Sequence, residues 1–351
     1  MTQTWFLDPC PAPSPAHSQA ALERQNALTK PQGSLGILED LAVRLAALQQ
    51  TEQPKADRVP VILFAGDHGV AAQGVSAYPS AVTVEMLRNF ANGGAAICVL
   101  ARTLGLPLEV IDAGTLGAGE IAGVHTDKPR CATRDFSAER AMSEEELAFA
   151  LAAGQRALAR SRDHKPDLVI LGEMGIGNTT SAAAIAAALL GVAPRDIVGA
   201  GTGVDADGIA RKATVIADAL ALHQLATPSI EAIDVLACVG GLEIAALTGA
   251  IIAAAQARIP VLIDGFIVTA AALAATRLNP SCRDWLLFSH RSREQGHRLV
   301  LDALQAEPIL DLRLRLGEGS GAAAALPVLR LACALHAQMA TFAEAQVSGK
   351  A

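Results

Sequence analysis

The segment Gly172-Glu173-Met174-Gly175-Ile176-Gly177-Asn178-Thr179-Thr180-Ser181 sets a carboxylate, an amide and three hydroxyls beside mobile backbone, just ahead of an alanine-rich run. Glycines let the chain turn and present its N–H groups. A helix N-terminus with Thr179 and Thr180 adds donors and a positive dipole end, so the segment suits a phosphate or carboxylate. It has neither the G-x-x-x-x-G-K-[ST] loop nor the dinucleotide G-x-G-x-x-G. It also reads as a glycine turn closed by an Asn or Thr cap. A second cluster, Gly199-Ala200-Gly201-Thr202-Gly203-Val204-Asp205, precedes Arg211 and Lys212. It is either a phosphate loop with a basic partner one or two helical turns on, or a loop capped by Asp205 with Lys212 solvated. In Arg315-Leu316-Gly317-Glu318-Gly319-Ser320-Gly321 a carboxylate stands between glycines before an apolar run. Kept from water, Glu318 becomes a competent base near neutral pH; otherwise it complements the dipole of the following helix.

Two further clusters carry weaker signals. Gly66-Asp67-His68-Gly69-Val70 pairs two metal-ligating residue types, with no third ligand at a diagnostic spacing. In His290-Arg291-Ser292-Arg293-Glu294-Gln295-Gly296-His297, Ser292 and the arginines suit a phosphate, or the segment is a solvated helix start. The histidines read as structural rather than as ligands. Neither cluster holds a nucleophile elbow, and no Ser-His-Asp order is defensible. The six cysteines, Cys10, Cys98, Cys131, Cys238, Cys282 and Cys333, form no C-x-x-C pair and lie far apart in the sequence. That argues against a structural zinc site or a disulfide scaffold and suits a reducing cytoplasm.

The elements that must position these residues follow from composition and period. The chain has 351 residues, 51% hydrophobic and 18% charged, enough for a large core and poor material for disorder. Acidic residues outnumber basic ones, 35 to 28, and aromatics are 3%, which argues against a nucleic-acid partner. Pro9 to Pro15 reads as an extended arm rather than a signal peptide. Leu35, Leu38, Ala42, Leu45 and Leu48 share a helical face, with Ser34 as a possible cap, and residues 49–58 read as a linker. Val59–Ala65, Leu108–Ala113, Leu168–Leu171, Val261–Ile263 and Trp285–Phe288 read as strands buried on both faces. Ser80–Phe90, Ala95–Leu104, Thr179–Leu190, Asp207–Leu222, Leu242–Ala257, Ile267–Arg277 and Leu326–Phe342 read as helices, the last with Pro327 near its start. Ser181–Ala193 is too short for a membrane span, and Leu242–Ala275 is interrupted by Gln256, Arg258, Pro260 and Asp264. The alternation predicts an α/β fold, a Rossmann-like parallel sheet flanked by helices that binds ligands at the carboxyl ends of its strands. Residues 59–290 would form the large domain, and 1–58 with 291–351 a smaller, mostly helical one.

Taken in order, seven blocks form a pattern: Leu28–Gly36, Phe64–Val70, Tyr78-Pro79-Ser80, Gly93–Ile97, Gly172–Ser181, His290–His297 and Leu316–Gly321. The chain from about Leu28 onward resembles the nicotinate-nucleotide:dimethylbenzimidazole phosphoribosyltransferase family, of cobalamin synthesis. The resemblance implies transfer of phosphoribose from nicotinate mononucleotide to 5,6-dimethylbenzimidazole, giving α-ribazole 5′-phosphate, nicotinate and a proton. It implies Glu318 as general base and Glu173 as the assisting carboxylate, with inversion at the anomeric carbon. It further implies phosphate and ribose contacts from Gly175, Gly177, Asn178, Thr179, Gly203, Lys212 and Ser292. Tyr78, Ser80, Met86 and Leu316 would line an apolar acceptor slot. No metal or other cofactor is implied, because no pyrophosphate leaves. A cytoplasmic homodimer without a membrane span is the family expectation. Rival readings are the same chemistry on another azole or a phenolic acceptor, an NAD-dependent oxidoreductase, and a nucleotide-binding protein without catalysis.

Overall fold

Apolar stretches too short for helices build a single sheet. Its strands are β1 (Val61–Gly66), β2 (Leu108–Gly114), β3 (His125–Thr126), β4 (Val169–Met174), β5 (Val261–Ile263) and β6 (Leu286–Phe288). The structure is a computed structural model that describes residues 4–117, 119–201, 203–226 and 230–348. The strands are all parallel, in the order β3-β2-β1-β4-β5-β6. This is the doubly wound order of Rossmann-like sheets, and the chain reverses direction between β1 and β4, which opens a crevice beyond their carboxyl ends.

Two helices precede the sheet, α1 (Pro15–Ala27) and α2 (Ile37–Gln49). Next, α3 (Ala81–Ala91) and α4 (Ala96–Leu104) join β1 to β2, and α5 (Glu144–Ser161) joins β3 to β4. Between β4 and β5 run α6 (Asn178–Leu190), α7 (Pro194–Ile197), α8 (Ala206–Leu222), α9 (Ala232–Val239) and α10 (Leu242–Gln256). After β5 come α11 (Phe266–Leu278), then α12 (His297–Ala303) and α13 (Ser320–Gln338) beyond β6.

The continuous hydrophobicity of the strands has a direct cause. Successive side chains point to opposite faces. Ile62 and Phe64 enter one core with Val169, Leu171 and Ile263, under α5, α6, α10 and α11. Val61, Leu63 and Ala65 enter the other with Ile170, Leu262 and Leu287, under α2, α3, α4 and α13. Both faces are covered, so neither can be polar. β1 begins two residues later than its apolar run because Pro60 has no N–H; its carbonyl accepts from Ile170 instead, at 3.0 Å.

Several local expectations are corrected. A helix, α1, follows the arm directly: Pro15 occupies its first turn and Ser14 caps it, accepting from His17 N at 3.4 Å. Ser34 does not cap α2; Gly36 stands at that position and the Glu39 side chain accepts from Leu35 N and Gly33 N, at 2.9 and 3.3 Å, while pairing with Lys30 at 2.8 Å. The last helix starts at Ser320 and ends at Gln338, so Pro327 lies inside it. Among the described residues α13 is long and apolar enough to cross a membrane, yet Ala322, Ala323, Leu326 and Leu329 pack it onto the sheet.

Candidate active site

The charged residues of the strand ends converge on the crevice. Glu173 is the penultimate residue of β4, β1 is followed by Asp67 and His68, β5 by Asp264, and His290 lies two residues past β6; every one is buried. A cleft of about 490 Å³ opens beside them. Among the residues on its walls are Glu173, Asn178, Thr179, His290, Ser292 and Leu316.

Glu318 approaches from the turn just before α13. Its backbone N–H donates to the Glu173 carbonyl at 3.2 Å, which adds the Gly317–Gly319 turn to the end of β4. The approach is so close that a side chain at Gly172 would strike the Glu318 carbonyl, and one at Gly317 would strike the Glu173 carboxylate. Glu318 is 5% exposed and adopts φ +65°, between Gly317 at +90° and Gly319 at +82°. A left-handed Glu costs about 1–3 kcal/mol of backbone strain, which persists only where surrounding contacts over-determine it. The carboxylate does not cap the helix that follows it. Asp264 does that, accepting from Gly319 N at 3.2 Å and Ala322 N at 2.8 Å. Glu318 Oε2 instead accepts from Ile97 N, in the first turn of α4, at 3.2 Å. Burial pushes the Glu318 carboxyl upward and the Ile97 N–H opposes this.

Glu173 is buried at the cleft wall, and Asn178 donates its amide to Glu173 Oε2. Burial, with Asp264, Glu243 and Glu318 nearby, pushes its pKa up to about 8. The side chain is therefore mainly a neutral acid at pH 7. Beneath it, His68 Nε2 lies 2.6 Å from Glu243 Oε1 with both side chains sealed from solvent. Asp67 accepts from Leu116 N at 2.9 Å, and burial raises its pKa. Thr83 accepts from Ile176 N at 3.1 Å, which ties α3 to the loop after β4.

On the opposite wall Lys212 is buried, its Nζ 2.9 Å from Thr179 Oγ1 and 3.4 Å from the Gly199 carbonyl. Burial lowers its pKa to about 8, with Glu294 resisting. It thus stays cationic at pH 7 behind Thr179, without lining the cleft. Ser292 is held by its backbone: its N–H donates to His297 Nδ1 at 2.9 Å. His297 Nε2 lies 2.9 Å from Thr269 Oγ1, and burial lowers the imidazole to about 3, so it is a neutral strut. Arg315 reaches across to the Gly201 carbonyl at 3.2 Å and lines the cleft with Arg313.

Of the sequence-derived site residues, Glu173, Gly175, Asn178, Thr179, Ser292, Tyr78 and Leu316 line the cleft. Tyr78 and Leu316 stand on its rim, 54% and 58% exposed, and offer apolar surface to a guest in the cleft. Gly177 backs onto His68, and Gly203 is exposed with open space around it. Ser80 stands at the start of α3, and Met86 on α3 packs into the second core cluster. Thr202 lies outside the described residues. The sequence reading passed over Glu243, Asp264 as a cap, and Arg313. A charge interrupting an apolar run at a strand end marked Asp264, and Glu243 sits likewise in an apolar helix. Among the described residues no group of three His, Cys, Asp or Glu side chains is arranged to hold a metal ion.

A family profile described as phosphoribosyltransferase matches residues 10–347. Over 350 residues the chain is 68% identical to the nicotinate-nucleotide–dimethylbenzimidazole phosphoribosyltransferase of Bradyrhizobium sp. strain ORS 278, covering 100% of this chain and 99% of that protein. The protein of that name from Xanthomonas axonopodis pv. citri is 57% identical, with 99% of each chain covered. A crystal structure of CobT from Thermus thermophilus superposes with a TM-score of 0.91 at 45% identity, covering 96% of this chain and all of that one.

Proposed function

The chain belongs to the nicotinate-nucleotide–dimethylbenzimidazole phosphoribosyltransferase family, and we propose that it transfers phosphoribose from nicotinate mononucleotide to 5,6-dimethylbenzimidazole. The products are α-ribazole 5′-phosphate, nicotinate and a proton. The observation that carries the mechanism is the seat of Glu318: a carboxylate nearly shut off from water, one residue beyond the cleft wall at Gly317, at the carboxyl ends of the strands.

In this reading the donor's phosphate meets Thr179, Ser292 and the N–H groups around Gly175, with Lys212 supplying positive charge from behind Thr179. Gly177 and Gly203 shape the two phosphate loops rather than touch the donor, and Asn178 keeps Glu173 in place. Tyr78 and Leu316 hold the flat acceptor at the rim, with Ser80 and Met86 setting the slope of α3 beside it. One nitrogen of the acceptor attacks the anomeric carbon as Glu318 removes the proton from its other nitrogen. The C–N bond to nicotinate breaks on the opposite face, so the centre inverts. The leaving group departs as a neutral pyridine ring, since the pyridinium nitrogen takes the bonding pair. Glu173, protonated near neutrality, serves best as a hydrogen-bond partner that holds the reacting groups. Stabilising a growing positive charge requires its ionised form, present above about pH 8.

The overall reaction is tested by mass spectrometry of the enzyme with both substrates. The mass of α-ribazole 5′-phosphate with matching nicotinate release supports it. Donor binding with no released nicotinate contradicts it and leaves a binding protein. We further place the enzyme in the cytoplasm as a homodimer; five of its six free cysteines are buried, in keeping with a reducing compartment.

A further inference from the structure

We propose that the first turn of α4, through the backbone N–H groups of Ala96 and Ile97, is the positioning device for the Glu318 carboxylate. The inference rests on the base assignment above and adds what aims and ionises that base.

Three observations converge on it. First, the Glu318 backbone is anchored to β4 in a left-handed conformation, so its side chain leaves the turn in a fixed direction. Second, that direction ends at the start of a different helix: Ile97 N donates to Oε2 at 3.2 Å, with an opposing contribution from the Ala96 N–H. The second and first residues of α4 are among those whose N–H groups have no partner inside the helix. No side-chain cap fills the role at Ala95, so the Glu318 carboxylate takes it from outside. Third, the N-terminus of α13, the nearer alternative, is already occupied by Asp264.

The charges facing Glu318 make this contact consequential. Asp264 beyond β5 opposes its ionisation, Glu173 on β4 is a largely neutral neighbour at pH 7, and Cys98 on α4 is the neighbouring thiol. Arg102 lies at the far end of α4, where it donates to the Gly93 carbonyl at 2.6 Å. The Ile97 N–H, the neighbouring Ala96 N–H and the positive end of α4 therefore balance desolvation and the nearby Asp264 carboxyl. A base held this way has one orientation and remains ionised at lower pH than burial alone would allow. The Gly93-Gly94-Ala95 approach, part of a motif with no other evident task, shapes the turn that delivers those N–H groups.

The test is Ala96→Pro. Proline is tolerated at the first position of a helix, and Ala95 already has the extended backbone (ψ 163°) that a following proline requires. The variant removes the Ala96 N–H, which favours the ionised carboxylate, and keeps that of Ile97. The acid limb of kcat/KM should move up by about one pH unit, a roughly tenfold loss on that limb. Nicotinate mononucleotide binding should stay within about twofold, because α4 does not line the cleft. Ala96→Gly, which keeps the N–H, should retain the wild-type profile. Should Ala96→Pro fail to fold, an amide-to-ester exchange at Ile97 removes the bonded N–H without adding bulk, and the same shift is expected. A folded variant whose acid limb stays where the wild type has it overturns the proposal. Glu318→Gln separates the two claims: if it is inactive while the limb is unmoved, only the positioning role fails; if it is active, the base assignment itself fails.

Discussion

Glu173 and Glu318 have the same side chain and meet at the same turn, yet their surroundings divide their work. Glu318 accepts the Ile97 backbone N–H, which favours its charged form. Glu173 has one amide donor and three neighbouring carboxylates, which favour its neutral form up to about pH 8. This has a consequence for stability. Unfolded, Glu173 titrates near 4.5; folded, near 8. Between those values the native state binds the extra proton, so stability falls as pH rises through the window. Glu173→Gln mimics the neutral acid and its oxygen can still accept from Asn178. Its melting temperature relative to wild type should therefore climb between about pH 5 and pH 8 and level off above. A difference that is flat over that range contradicts a neutral Glu173.

At the scale of elements, the site depends on how tightly the helices clamp the sheet. The clearest case is the crossing of α5 and α10. A Cβ at Gly154 would collide with the Ala246 carbonyl, and one at Gly249 with the Leu151 carbonyl. The two backbones meet with nothing between them, and α10 begins at Leu242-Glu243, so its position fixes the Glu243 side chain against His68. Gly154→Ala should destabilise the protein by about 1–3 kcal/mol, as overpacking does. Urea denaturation would show this as a lower midpoint with an unchanged slope; an unchanged midpoint would mean that the crossing is looser than described. The α5 helix carries a full capping box, Ser143 with Glu146. That S-x-x-E signal before an apolar run is legible in the sequence.

For the molecule as a whole, the parallel sheet was legible because both faces are covered. Five apolar runs each match a strand to within two or three residues. The missed strand, β3, has two exposed residues, His125 and Thr126, and so carries no hydrophobic signature at all. The placement of Glu173 and Glu318 near each other came from the resemblance of ordered blocks, since they lie far apart in the chain and no local pattern links them. The partner of Glu318 could not be read this way. Which helix start receives a carboxylate depends on the angle at which the chain leaves Gly317–Gly319, and that angle exists only once β4 and α13 are packed. Subunit number is equally a property of the whole surface. Light scattering of the purified enzyme should give twice the 36.1 kDa chain mass, and a mass of one chain would contradict the homodimer.

The proposed reaction turns on one proton, taken from the acceptor by a carboxylate that the fold has nearly dried. Glu318→Gln, assayed with nicotinate mononucleotide and 5,6-dimethylbenzimidazole, measures that step most directly. The expected result is donor affinity close to wild type with α-ribazole 5′-phosphate formation lowered by about 10²–10⁴-fold. Turnover near the wild-type rate would contradict Glu318 as the base.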